Sequence, residues 1–163
     1  MERTLVILKP DTIQRQIVGE IIGRFEKVGL KIIGMKMIHP SEEFVEKHYY
    51  DVKERHGEKV LNGLKQFLGM GPVIAFVLEG PNAIGQTRKM VGKTEPFSAV
   101  PGTIRGDYSN MTYARADDIN NYIKSVYNLV HASANKKDAE HEIGLWFSDS
   151  ELWEYKTVHE LFI

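Results

Sequence analysis

His131 and Glu142, eleven positions apart, form the pair in this chain best equipped to do chemistry. His131 follows an apolar, strand-like run, Ser125 to Val130, and is followed by the small residues Ala132 and Ser133. Glu142 sits in a helix-like segment, Asp138 to Phe147. A histidine at a strand end, with little bulk beside it and a carboxylate to orient it, has the makings of a nucleophile. Residue type alone does not carry the case, because a lone histidine is more often structural than catalytic.

Four further residues suit an anionic substrate. Lys9 directly follows the first apolar run, Arg88 lies on a helix-like stretch after Pro81, and Thr94 and Arg105 lie between residues 92 and 110. Three cations and a hydroxyl fit a polyphosphate: each arginine offers a planar fork, the lysine a point charge. Taken singly, each is better explained as an ordinary surface residue.

Other patterns fail on inspection. Gly92-Lys93-Thr94 resembles the end of a phosphate-binding P-loop, but Thr87 stands where that pattern needs glycine, and the segment follows a helix instead of opening one. Arg105-Gly106-Asp107 and the sequon Asn110-Met111-Thr112 need an extracellular setting that nothing else supports. The six histidines include no pair at His-x-x-x-His spacing, and cysteine is absent, so no thiolate zinc site or disulfide framework is expected. His39, His48, His56, His141 and His159 read most simply as turn or surface residues.

The elements that must hold these groups follow from periodicity. Leu5 to Leu8, Leu30 to Ile38, Val73 to Leu78 and Ser125 to Val130 read as strands. Val18, Ile21, Ile22, Phe25 and Val28 recur at helical spacing. Ser41-Glu42-Glu43 opens a helix through about Tyr49. Glu58 to Leu68, Asn82 to Val91 with Pro81 at its first turn, a short Asp117 to Lys124 and Lys137 to Phe147 complete the helices. Residues 92–110 read as loop. The order, β-α-β, a helical insert, then β-α-β, predicts an α/β (α+β) sandwich of ferredoxin-like type, a split βαβ with a four-stranded antiparallel sheet and helices on one face.

The 163 residues are enough for one domain, 1–163, around one core. A net charge of −1 gives no global field to recruit nucleic acid or an anionic membrane. No signal peptide or membrane-length apolar run is visible, so the expected setting is intracellular.

The chain also resembles the nucleoside diphosphate kinase family along nearly its whole length. The matching stretches include Ile7-Leu8-Lys9-Pro10-Asp11, Val18-Gly19-Glu20-Ile21-Ile22, Glu46-Lys47-His48-Tyr49 and Pro101-Gly102-Thr103-Ile104-Arg105-Gly106-Asp107. Asn128-Leu129-Val130-His131-Ala132-Ser133 and Ala139 to Phe147 close the series. The resemblance implies a ping-pong transfer of the γ-phosphoryl of a nucleoside triphosphate, usually ATP, to His131 and then to a nucleoside diphosphate. It implies Glu142 as the residue that orients His131, and Lys9, Arg88, Thr94 and Arg105 as the phosphate-binding set. Tyr49 is implied beside the histidine, Asn128 on the ribose, and Ser133 beside the nucleophile, within the nucleotide-binding set. Mg²⁺ is implied on the phosphates with water completing its shell, so no all-protein metal site is expected. A cytoplasmic homo-oligomer follows, a hexamer more than a tetramer, since Pro96 and Pro101 bracket a loop like the family's assembly loop. Neither membrane nor nucleic acid is needed as a partner.

Three departures stand out. The family's two adjacent phenylalanines after the tyrosine are missing, and aligning back from Gly63-Leu64 puts Val60 at the base-stacking position with Leu64 nearby. Tyr108 to Tyr127 is longer than in common members, and reads as decoration or an assembly contact more than as a lid. Ala134 stands where aspartate is usual. The competing reading is a ferredoxin-like nucleotide- or nucleic-acid-binding module that does not turn over. The joint presence of His131, Glu142, Lys9, Arg88 and Arg105 argues against it, because a pure binder needs no nucleophile.

Overall fold

The computed structural model describes residues 1–119 and 125–161. Its first half runs β1 (Glu2–Leu8), α1 (Pro10–Gln14), α2 (Val18–Lys27), β2 (Lys31–Ile38), α3 (Glu42–His48), α4 (Val52–His56) and α5 (Glu58–Leu68). The second runs β3 (Val73–Gly80), α6 (Ala83–Val91), α7 (Ile104–Tyr108), α8 (Tyr113–Ile119), β4 (Val130–Ala132) and α9 (Lys136–Trp146). The strands form one sheet of order β2-β3-β1-β4, every neighbouring pair antiparallel. This is the expected ferredoxin-like arrangement. Among the described residues no helix is long and apolar enough to cross a membrane.

Helices cover both faces of the sheet, which corrects the expectation of one. α2 and α6 pack Ile21, Phe25, Ala83 and Val91 against Val6, Leu8 and Phe76. On the other face α3, α5 and α9 pack Val45, Phe67, Leu68 and Trp146 against Leu5, Ile7, Ala75 and Val77. The cause lies in β1 and β3, where both odd and even positions are apolar, so each face must be buried. A fully buried side chain such as Phe25 or Phe76 contributes about 1.5–3 kcal/mol relative to exposure.

Helix starts follow local chemistry. The Ser41 hydroxyl accepts the Phe44 N–H at 3.2 Å, as the Ser-Glu-Glu signature predicts. Asn135 Oδ1 accepts from Asp138 N at 3.0 Å and opens α9 one residue earlier than expected. Pro81, expected in the first turn of α6, lies before it; Asn82 caps the helix in a left-handed conformation, φ 49°. The 92–110 loop contains α7, whose Thr103 cap accepts the Gly106 N–H at 3.1 Å. Five residues are too few for a periodic signal, so α7 leaves no trace in the sequence pattern. The short helix expected at Asp117 to Lys124 begins earlier, as α8 at Tyr113, and residues 120–124 lie outside the described residues.

The last strand is the most consequential difference. It is Val130–Ala132, so His131 lies within the strand and not past its end. Leu129 explains the shift: its φ of 70° turns the chain immediately before pairing begins. Buried groups around α1 hold that turn. Asp11 Oδ2 accepts the Leu129 N–H at 3.0 Å, while the Leu129 carbonyl accepts Lys9 N at 2.8 Å and Thr12 Oγ1 at 2.6 Å.

Candidate active site

The register places His131 opposite Ile7 of β1, while its neighbours Val130 and Ala132 pair with Leu8 and Val6. Alternation therefore sends Val130 and Ala132 into the core under α2 and α6, and His131 to the face that α9 covers. On α9 the buried positions are Ala139, Glu142 and Trp146, so Glu142 occupies the helix's inward stripe. Both Glu142 oxygens lie 3.0 Å from His131 Nε2. The ring's proton is thus held on Nε2, and Nδ1 keeps the lone pair. Ser133 is fully buried and donates its hydroxyl to Glu142 Oε2 at 2.6 Å, while that hydroxyl accepts Leu5 N at 3.1 Å. It steadies the carboxylate from behind and does not line the cavity in front.

That cavity measures about 560 Å³ and is bounded by His131, Lys9, Tyr49, Arg88, Thr94, Arg105 and Asn128. Lys9 donates to Asn128 Oδ1 at 2.7 Å, and Asn128 Nδ2 to the Thr94 carbonyl at 2.9 Å. Arg105 donates to three main-chain carbonyls: Asn128 at 3.1 Å, Gly92 at 2.9 Å and Val130 at 2.6 Å. Its guanidinium fastens the α6 end and the loop before β4 to each other. Gly92 ends α6, which completes the case against a P-loop here.

Burial and crowding of like charges dominate the electrostatics. Desolvation, with Arg105 nearby and Asp11 opposing, lowers Lys9 to about 7. Desolvation and Arg88 lower Arg105 to about 10. Desolvation and Glu142 raise the Tyr49 phenol, so it remains a neutral hydroxyl. Lys9 and Arg105 crowded this closely suit a polyphosphate anion, which would offset their mutual repulsion.

The far end of the cavity is built differently. Val60, 38% exposed, and Leu64 line it from α5, and Tyr113, Ala116 and Val126 line it from the 108–127 segment. The described residues of the long segment therefore line the cavity, which decoration alone does not account for.

Two neighbours of the site escape the sequence reading. His48, expected at the surface, is 3% exposed, and its ring lies 4.5 Å from that of His131, centroid to centroid. Val45 and His48 are the buried positions of α3, and that i, i+3 spacing was the available signal. Asp11, given no role of its own in the sequence, holds Leu129; a lone aspartate after proline gave no sign of it.

A histidine held by a carboxylate in a cation-lined cavity is the apparatus of a phosphotransferase. Comparison with known proteins narrows the class. A family model described as nucleoside diphosphate kinase matches residues 2–152. The nucleoside diphosphate kinase of Borreliella burgdorferi is 44% identical over 158 residues, 96% of this chain and 93% of that one. That of Pyrococcus furiosus is 47% identical over 155 residues, 95% and 88% of the two chains. Among solved structures, a transition state mimic of the Borrelia burgdorferi enzyme with bound vanadate and ADP superposes with a TM-score of 0.92 at 43% identity, covering 98% of this chain and 94% of that one. An NDP kinase from Pyrobaculum aerophilum gives 0.83 at 38% identity, covering 94% and 99%. The chain belongs to the nucleoside diphosphate kinase family.

Proposed function

We propose that His131 Nδ1 takes the γ-phosphoryl of a nucleoside triphosphate, ATP above all, and passes it to a nucleoside diphosphate. The observation that carries this assignment is the clamp of both Glu142 oxygens on His131 Nε2. It leaves Nδ1 as the nucleophilic nitrogen and offsets the positive charge the ring acquires on attack. The Nδ1 lone pair forms the N–P bond, the bond from γ-phosphorus to the bridging oxygen breaks, and the diphosphate leaves with that electron pair. The second half-reaction reverses these steps with a new acceptor. Lys9, Arg88, Arg105 and Thr94 hold the phosphates, the Tyr49 hydroxyl stands beside the transferred group, and Asn128 takes the ribose. Ser133 acts through Glu142. Val60 and Leu64 cover the base without reading its edges, which suits broad tolerance of bases.

The divalent cation is Mg²⁺, and it belongs to the substrate. Among the described residues, the metal-ligating groups in mutual reach are His48, His131 and Glu142, two nitrogens and one carboxylate. That set does not suit a hard oxygen-seeking cation, so Mg²⁺ comes on the nucleotide's phosphates. The compartment proposed is the cytoplasm. A homo-hexamer accounts for the exposed apolar residues Met35 and Met37 on edge strand β2, and Phe97 and Val100 on the 92–110 loop. Light scattering on the purified protein tests that mass.

The test of function is incubation with γ-labelled ATP and Mg²⁺ without acceptor. Acid-labile, base-stable label on the wild type, absent from His131→Ala and discharged to GTP by GDP, is the expected result. No label while nucleotide still binds would overturn the assignment and leave a binding module.

A further inference from the structure

His48 has no part in the scheme above, yet it lines the cavity and its imidazole packs against that of His131. Its ring meets those of Tyr49 and His131 edge-on, each at 4.5 Å between centroids. A ligand-capable atom of His48 lies within 4.8 Å of one on His131 and one on Glu142. Trp146, one turn beyond Glu142 on α9, donates Nε1–H to His48 Nδ1 at 3.2 Å. A donor cannot face a donor, so Nδ1 carries a lone pair and the proton of the neutral ring sits on Nε2. Nε2 is buried and has no hydrogen-bond partner among the described residues. A native site seldom leaves a buried N–H unpaired unless some state of the protein supplies the acceptor.

We propose that this acceptor is the phosphoryl group on His131, and that His48 is a catalytic residue of the phosphorylated state, donating Nε2–H to a phosphoryl oxygen. The inference rests on His131 being the phosphorylated residue. Two observations and the course of the proposed reaction favour this acceptor over another. The carboxylate of Glu142 is already engaged by His131 and Ser133. The neighbouring Tyr49 packs against His48 as a ring. The phosphoryl group is the one strong acceptor that arrives at this place during the reaction and leaves again. Trp146 thus sets the tautomer of His48 much as Glu142 sets that of His131, from adjacent turns of the same helix and with opposite polarity. Burial first, then the neighbouring His131 and Lys9, keeps the His48 ring well below an ordinary imidazole, so it arrives neutral with a single proton to donate. The proton remains on His48 throughout; it is shared in a hydrogen bond and not transferred.

The experiment compares wild type, His48→Phe and His48→Gln, with thermal melting to match folded fractions. Phenylalanine keeps the ring and removes the donor, whereas glutamine sets an amide N–H close to the Nε2 position. In His48→Phe, kcat falls by about tenfold or more, as for loss of a hydrogen bond to a charged group, with KM little changed, and the phosphoenzyme loses its label faster. Glutamine restores part of both. Long-range ¹H–¹⁵N spectra of the wild type place the His48 proton on Nε2 and move that resonance when the enzyme is phosphorylated. The proposal is overturned if His48→Phe turns over like wild type, if glutamine does no better than phenylalanine at equal stability, or if the proton lies on Nδ1. The tautomer is read on the unlabelled protein, so it is decided independently of phosphorylation. A wild type that takes no label would break the assignment of His131 and, with it, remove the acceptor proposed for His48.

Discussion

The two ends of the cavity are made by different means. At the inner end, His131, Glu142, Ser133, Lys9, Asn128 and Arg105 are buried or nearly so, and each is tied to a second group. At the outer end, Val60 and Tyr113 are exposed and offer surface without fixed polar contacts toward a ligand. Chemistry requires groups held to fractions of an ångström, which burial and hydrogen bonds supply. A base that need not be distinguished requires only apolar cover. The contrast teaches that the site is strict about phosphate and lenient about the nucleoside.

The sharpest way to break this comparison is at the nucleophile. His131→Ala is expected to lower kcat by at least about 10⁴-fold in a coupled assay of diphosphate phosphorylation. A smaller loss would mean another group accepts the phosphoryl. Next comes Glu142→Gln, which keeps size but offers His131 Nε2 an oxygen on one side only and no charge. Its kcat should fall by about 10²-fold with KM for ATP nearly constant, since substrate binding does not use Glu142. If KM carries the loss instead, Glu142 serves binding.

Lys9 supplies a test through pH. Its folded value is depressed to about 7, so in the free protein its charge is lost as pH rises through about 7. A bound phosphate raises it again, so ADP binding above pH 7 takes up a proton. Affinity should be full below pH 7 and fall by close to tenfold between about pH 7.5 and 8.5. Calorimetry in two buffers of different ionisation heat would register the uptake, and Lys9→Met should abolish it. The smallest effect belongs to the outer end: Val60→Phe restores a π face and should lower KM for ATP by about fivefold, leaving kcat alone. A change in kcat there would show that the ends are coupled.

Sequence reasoning serves these ends unequally. The helices carrying the site, α5 and α9, are placed within a residue of their observed bounds, because long amphipathic stripes and cap residues are local signals. The residues of the inner end are all legible in the sequence, through their types and through resemblance. What escapes are relations made only in three dimensions. β4 is three residues long and its limits follow from the turn at Leu129, which Asp11 and Thr12 hold from more than a hundred residues away. His48 reads as surface because a histidine in a short helix gives no hint that Trp146 will reach it. The 108–127 segment shows its length but not its destination.

The clamp on Leu129 has one further consequence. A pleated strand alternates sides, so adding or removing a single residue just before His131 would turn the imidazole to the wrong side of the sheet. Asp11, Thr12 and the Lys9 amide take hold of the chain two residues ahead of His131, after the long segment has ended. Length upstream of the clamp is thereby separated from orientation downstream of it. A change in the segment's length then alters the outer wall of the cavity without turning the imidazole from its side of the sheet.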